Sequence, residues 1–227
     1  EMVMQLLDRS QKIDNVVIQV GGGALARSVA QALEEALQLG FIQVLPRIHV
    51  CQPAGGFPFV RAYLLALEEI ARRSGYSFDL SYDHGADPVV QLQRTKAFAR
   101  ARPDQIQEVA AFVQRSFDSP LVQSVLMDMA GKPGHFMWPW DGGTPHSLAH
   151  GILDDVTYDW YHLLRAVLRS GGRAEILAED TIRAAYAKAQ SHTGIPVCPT
   201  GASGLAGLIQ LTDSGAIDRG ETGGLFF

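Results

Sequence analysis

The chain has 227 residues and a formal net charge of −5, with 47% hydrophobic and 19% charged residues. That composition is globular, neither disordered nor fibrous, and the acidic balance excludes a broad basic surface for nucleic acid. Two cysteines, Cys51 and Cys198, make no disulfide framework, and no apolar run reaches the roughly 20 residues of a membrane helix. A cytoplasmic protein with no nucleic-acid or membrane partner is expected.

Met2, Val3, Leu6 and Leu7 recur at helical spacing, so residue 1 is expected inside or beside a helix, as in a chain cut from a longer protein. Residues 15–20, Asn-Val-Val-Ile-Gln-Val, form a short β-branched run of the kind buried in a parallel sheet. Gly21-Gly22-Gly23 closes that strand. A helix is predicted from Ala24 to Leu39, with Leu25, Val29, Leu33, Ala36 and Leu37 on one face and Gly40 as its stop. Arg47 to Cys51 is a second strand, followed by the turn-rich 52–58 and a helix from Val60 to Arg73.

The alternation β-loop-α-β-loop-α predicts an α/β fold: an open, mostly parallel twisted sheet flanked by helices, with residues 1–227 as a single α/β domain. Residues 76–145 are the irregular segment. Within it, Pro103 opens a helix that turns Ile106, Val109, Ala110 and Val113 inward, and residues 131–146 form a long structured loop. Further on, Tyr158–Leu168 is a helix stopped at Ser170-Gly171-Gly172, and Arg173–Leu177 is a strand. Asp180 caps a helix running to Gln190. Residues 194–199 are extended, Thr200 and Gly201 open a helix rich in small residues, and residues 221–227 form a last strand.

Strand, three glycines, then helix is an arrangement that binds phosphate. Free N–H groups at a helix N-terminus face outward, the helix dipole favours an anion, and glycine allows close approach. A tight β-to-α turn is the plainer alternative, although one glycine suffices for that. Gly21-x-Gly23-x-x-Ala26 also satisfies a relaxed dinucleotide fingerprint. The second strand, however, ends His49-Val50-Cys51-Gln52-Pro53 without the carboxylate that holds ribose hydroxyls, which favours a monophosphate cofactor.

Residues 15–26 resemble the strand and glycine loop of the fold-type II pyridoxal-phosphate enzymes, the tryptophan synthase β family. Residues 170–183 resemble the strand and helix that lead towards that family's active site. Residues 194–207 resemble the stretch at which it carries a proline followed by a hydroxyl residue, and residues 47–53 occupy the place of the strand before its variable region. Among subfamilies the likeness is greatest to threonine synthase. The resemblance implies pyridoxal 5′-phosphate as cofactor, an amino-acid substrate, elimination or replacement chemistry, and a homodimer in the full-length protein. A threonine or serine dehydratase is the alternative within that class. A non-catalytic phosphate-ligand-binding fragment or pseudoenzyme is the alternative outside it.

Carried over by position, Gly21, Gly22, Gly23 and Ala24 would hold the cofactor phosphate through main-chain N–H groups, and Thr200 would line the cofactor side of the pocket. Cys198 stands where the family commonly has glutamate. The Schiff-base lysine lies N-terminal to the glycine strand in the family, so it is expected outside this chain and the catalytic residues stay unassigned. Only four lysines are present, and none suits the role: Lys12 and Lys188 lie in polar stretches, Lys96 among arginines and Lys132 in a loop.

Other constellations are read more plainly. His146, His150 and Asp154 would share a helical face at i, i+4, i+8, with hydrogen bonding rather than metal binding as their expected role. Cys198 precedes a helix N-terminus, where a thiolate is stabilised, but a buried inert thiol is the commoner case. Trp138 and Trp140 are loop anchors or a ligand cover. Arg94, Arg100, Arg102 and Arg115 are expected on a solvated face.

Overall fold

In a computed structural model, the structure describes residues 12–80, 88–137 and 145–227. Strand β1 (Asn15–Gln19) is followed by helix α1 (Ala24–Gln38), strand β2 (Arg47–Pro53) and helix α2 (Pro58–Ser74). Helices α3 (Pro88–Ala101), α4 (Pro103–Arg115), α5 (Pro120–Ala130) and the single turn α6 (Pro133–Phe136) come next. After a 3₁₀ turn at His150–Ile152 come α7 (Trp160–Ser170), β3 (Ala174–Leu177), α8 (Glu179–Thr193), α9 (Pro199–Asp213) and β4 (Gly223–Leu225).

All pairings are parallel and the strand order is β3-β2-β1-β4, so β1 and β2 are central. Val16, Val17 and Ile18 are fully buried because both faces of the sheet are covered, which is why β1 is a continuous apolar run. Val16, Ile18, Ile48 and Val50 join one core with α1, α2, α4, α5 and α7. Val17, Cys51 and Leu177 turn to the other face, under α8 and α9. Each such aliphatic side chain withdrawn from water contributes about 1.5–3 kcal/mol.

Local chemistry places the helices. Gln52, fully buried at the end of β2, accepts hydrogen bonds at its Oε1 from the N–H groups of Phe59 (2.9 Å) and Val60 (3.2 Å). Those donors have no carbonyl partner in the first turn of α2, and Pro58 at its start has none to satisfy. At the far end of α7, Gly171 takes a left-handed conformation (φ +72°) to end the helix. Gly172 serves a different purpose. A Cβ there would collide with the backbone carbonyl of Ile48, so only glycine lets β3 leave α7 against β2.

The predicted face of α1 is displaced. Its buried residues are Ala26, Val29, Ala30, Leu33 and Ala36, whereas Leu25 is half exposed in the first turn, at the end nearest the glycine loop. Helix α3 occupies part of the stretch expected to be irregular, and the long loop from residue 131 contains α6. The reading of residues 1–7 as helical, and the roles given to Trp138 and Trp140, lie outside the described residues.

Candidate functional site

An open parallel sheet forms a crevice at the carboxyl ends of its strands, where connections leave neighbouring strands towards opposite faces. Here the carboxyl ends of β1 and β4 are flanked by helices on opposite faces. The chain leaves β1 into α1 on one face, while α9 crosses the other face before the chain enters β4. Small residues let α9 come close. A Cβ at Gly204 would lie 3.0 Å from Gln19 Oε1 and 3.3 Å from the Val17 carbonyl, and one at Gly201 would lie 3.2 Å from Phe227 backbone. Gln19 Oε1 is buried there with no hydrogen-bond partner among the described residues.

The glycine loop sits on this edge. Gly23 has φ +97° and caps α1 without a side chain. Among the described residues, no acceptor is bonded to the N–H groups of Gly23, Ala24, Leu25 or Ala26; the first helical bond runs from Arg27 N–H to the Gly23 carbonyl at 2.9 Å. Ala24 and Leu25 are exposed, while Gly23 and Ala26 are buried, so the positive end of the α1 dipole opens to solvent at Ala24 and Leu25.

Residues 149–159 form a strap that joins this loop to the start of α9. At one end, the Gly151 N–H donates to Thr200 Oγ1 at 3.2 Å. In the middle, Ile152 Cα and Asp154 Oδ2 lie 3.2 and 2.6 Å from where a Gly21 Cβ would be, and the Tyr158 ring lies 3.2 Å from the equivalent point on Gly22. At the other end, Thr157 Oγ1 donates to the Gly21 carbonyl (2.9 Å) and the Asp159 N–H donates to the Gly22 carbonyl (3.2 Å). Asp159 in turn holds Arg27 at 2.8 Å. The three glycines and Thr200, far apart in sequence, are thus brought to one edge through intervening chain.

Sequence reasoning missed the strap. Its signal is the run of short polar side chains Asp154, Asp155, Thr157 and Asp159, residue types that bond readily to nearby backbone. The helical face proposed for His146, His150 and Asp154 does not form, because only His150–Ile152 is helical and only as a 3₁₀ turn. The carbonyl of His146 instead packs on Gly55, where a Cβ would clash with it. Among the described residues no group of three His, Cys, Asp or Glu side chains is placed to hold a metal.

Cys198, expected to be buried, is exposed at the N-cap of α9. The N–H groups of Gly201 and Thr200 lie against its sulfur without making a well-formed cap, and they hold its pKa below the ordinary thiol value. Cys51 is the buried cysteine, its pKa raised by desolvation and then by the carboxylate of Glu175. Of the lysines, Lys12 pairs with Asp14 (2.6 Å), Lys132 and Lys188 are exposed, and Lys96 lies over the Phe57 ring at 5.3 Å. Arg94, Arg100, Arg102 and Arg115 are exposed, as a solvated face requires.

The donor set suits a phosphate. It offers neutral N–H groups and a helix dipole, with the loop held by hydrogen bonds to its carbonyls and its N–H groups left free. Two carboxylates stand by the loop: Asp154 against Gly21 and Gly22, and Asp159, paired with Arg27, against Gly23. The chain matches no model of a known protein family, and no curated protein is similar to it at a significant level. No described helix is long and apolar enough to cross a membrane.

Proposed function

We propose that this chain anchors the phosphate of pyridoxal phosphate for elimination or replacement on an amino acid, in the manner of threonine synthase. A threonine or serine dehydratase is the neighbouring alternative. One observation carries the proposal: Gly21–Gly23 and Thr200 meet at the crevice of a parallel sheet, bridged by the strap at Gly151 and Ile152.

The free N–H groups of Gly23, Ala24 and Leu25 bind the phosphate end. The Thr157 and Asp159 bonds to the loop carbonyls fix the direction in which those N–H groups point. Thr200, tied to Gly151, fixes the second wall. The cofactor, when bound, supplies an electron sink for a substrate carbanion. The position of the lysines favours a narrower role for the chain by itself. Lys12, Lys132 and Lys188 are exposed and Lys96 is stacked on Phe57, so the role proposed here is that of the glycine loop and Thr200, to bind and orient.

Equilibrium dialysis of the chain against pyridoxal phosphate, pyridoxal and a nicotinamide dinucleotide tests this reading. Binding of pyridoxal phosphate at least about tenfold tighter than pyridoxal is expected, as several charge-assisted bonds require. Gly22→Asp removes that preference by adding a carboxylate to the loop, and the chain stays folded because the atoms nearest the new Cβ belong to side chains that can move, the exposed ring of Tyr158 and the carboxylate of Asp154. Equal binding of pyridoxal overturns the phosphate assignment, and tighter binding of the dinucleotide replaces it with a nucleotide site.

A further inference from the structure

A second charged recess lies on the other flank of α1. Between α1 and α7 a cavity of about 220 Å³ is lined by Arg27, His162, Arg165 and Arg169, with Phe117 contributing apolar surface and Glu34 the single carboxylate. That volume is several times the roughly 30 Å³ a water occupies in the liquid. On α7 the three basic residues stand at i, i+3 and i+7, while Leu163, Leu164 and Val167 of the same helix are buried in the core. In a chain of net charge −5, three guanidinium groups around one recess is an uneven distribution.

The three arginines are not equally satisfied. Arg27 is committed to Asp159 at 2.8 Å, and Arg169 reaches Glu34 only at 3.5 Å across an exposed edge. Arg165 has no carboxylate partner among the described residues. Its Nη1 donates to the neutral Gln123 Oε1 at 2.8 Å, and the guanidinium is braced over the rings of Phe117 (5.4 Å) and Tyr161 (5.9 Å). A guanidinium has five N–H donors, so most of those on Arg165 remain for a ligand. Its orientation is already fixed, which lowers the entropy lost on binding.

We propose that the α1–α7 cavity binds a small phosphorylated anion, separately from the glycine loop. Arg165 and Arg169 grip the phosphate oxygens, and the organic body of the ligand lies on Phe117. Phosphate is preferred to carboxylate because the donors are spread over three positions of α7, at His162, Arg165 and Arg169, which a tetrahedral anion meets from more directions than two coplanar oxygens do.

Phenyl phosphate is the probe, followed by ¹⁵N spectra of the full chain that include the arginine Nε–H signals. Saturable shifts at Arg165 Nε–H and at the Phe117 amide are expected, absent when sodium chloride replaces the probe at equal ionic strength. Arg165→Gln weakens binding at least about tenfold. Arg169→Gln, at an exposed position, weakens it severalfold in a chain whose fold is untouched. Gly22→Asp leaves these shifts in place. Shifts that never saturate, or that sodium chloride reproduces, overturn the proposal. So does binding that survives both arginine variants but is lost in Gly22→Asp, since the anion then occupies the glycine loop. Equal affinity for benzoate overturns the assignment to phosphate.

Discussion

Gln52 Nε2 donates a hydrogen bond to Thr157 Oγ1 at 3.3 Å, and the same hydroxyl donates onward to the Gly21 carbonyl at 2.9 Å. The second Nε2 hydrogen goes to the Val20 carbonyl at 3.1 Å, while Oε1 receives the Phe59 and Val60 N–H groups. All four hydrogen-bonding positions of one buried amide are therefore used, joining β1, β2, α2 and the strap beneath the glycine loop. A glutamate here would aim an acceptor at a carbonyl. This explains why the end of β2 carries an amide and why no ribose-binding acid is found there.

Replacing Gln52 by leucine keeps the volume and strands those partners in the core. A loss of about 2–4 kcal/mol in stability is expected from such unpaired groups, measured by urea denaturation. A change below about 0.5 kcal/mol would show that the network contributes little.

His49 is buried in β2, with its Nδ1 accepting the Arg173 N–H at 3.2 Å and its Nε2 facing Asn15 Oδ1 at 3.1 Å. The ring is thus neutral and protonated on Nε2. Burial, then the charges of Arg47 and Arg173, push its pKa down to about 3 from 6.5. Between those values the unfolded chain binds a proton that the folded chain does not, so stability is lost as pH falls. Relative to His49→Gln, the native chain should lose about 2 kcal/mol between pH 7.5 and pH 5. Parallel stability curves for the two proteins across that range would refute this.

The two thiols should separate cleanly. A disulfide reagent at neutral pH is expected to label one cysteine rapidly, and Cys198→Ser should abolish that phase. Cys51 should react only after denaturant is added, since it is buried and its pKa is raised. Fast labelling of both thiols would contradict the placement of β2 in the sheet centre.

Gly171 and Gly172 are neighbours with different obligations. A Cβ on Gly171 meets only the side-chain amide of Gln114, which can move, so Gly171→Ala should cost about 1 kcal/mol for its left-handed conformation. A Cβ on Gly172 meets the Ile48 carbonyl, which is fixed by the sheet, so Gly172→Ala should cost at least about 3 kcal/mol. Thermal unfolding of the pair decides it, and equal losses would rule out the close approach of β3 to β2.

Periodicity and glycine punctuation made β1, α1, β2, α2 and the fold class legible, because each is a local pattern of apolar residues bounded by a turn. The exposure of Leu25 was not legible. The helical repeat fits both a face through Leu25 and one through Ala26, and only the packing of α1 against the core selects the second. The strap was hidden for a related reason. Its hydrogen bonds reach back to Gly21 and Gly22 and forward to Thr200, and such distant partners leave no local spacing to detect. Cys198 is exposed because it stands at the N-cap, just before α9 enters the core at Gly201 and Ala202, a change that one residue's context does not signal.

Asp154 sets the electrostatic balance of the glycine loop. Its Oδ2 lies 2.6 Å from the position of a Gly21 Cβ and 3.5 Å from that of Gly22, so a carboxylate stands beside N–H groups that attract anions. A phosphate held by those groups gains from the α1 dipole and loses to Asp154. Asp154→Asn removes the loss and keeps the side chain's size. Affinity for pyridoxal phosphate should therefore rise by up to about tenfold, with affinity for uncharged pyridoxal unchanged. The gain should shrink at high ionic strength, because the strap is partly open to solvent. An affinity indifferent to Asp154→Asn at low salt would place the phosphate away from Gly21 and Gly22, and the crevice between β1 and β4 would then need another ligand.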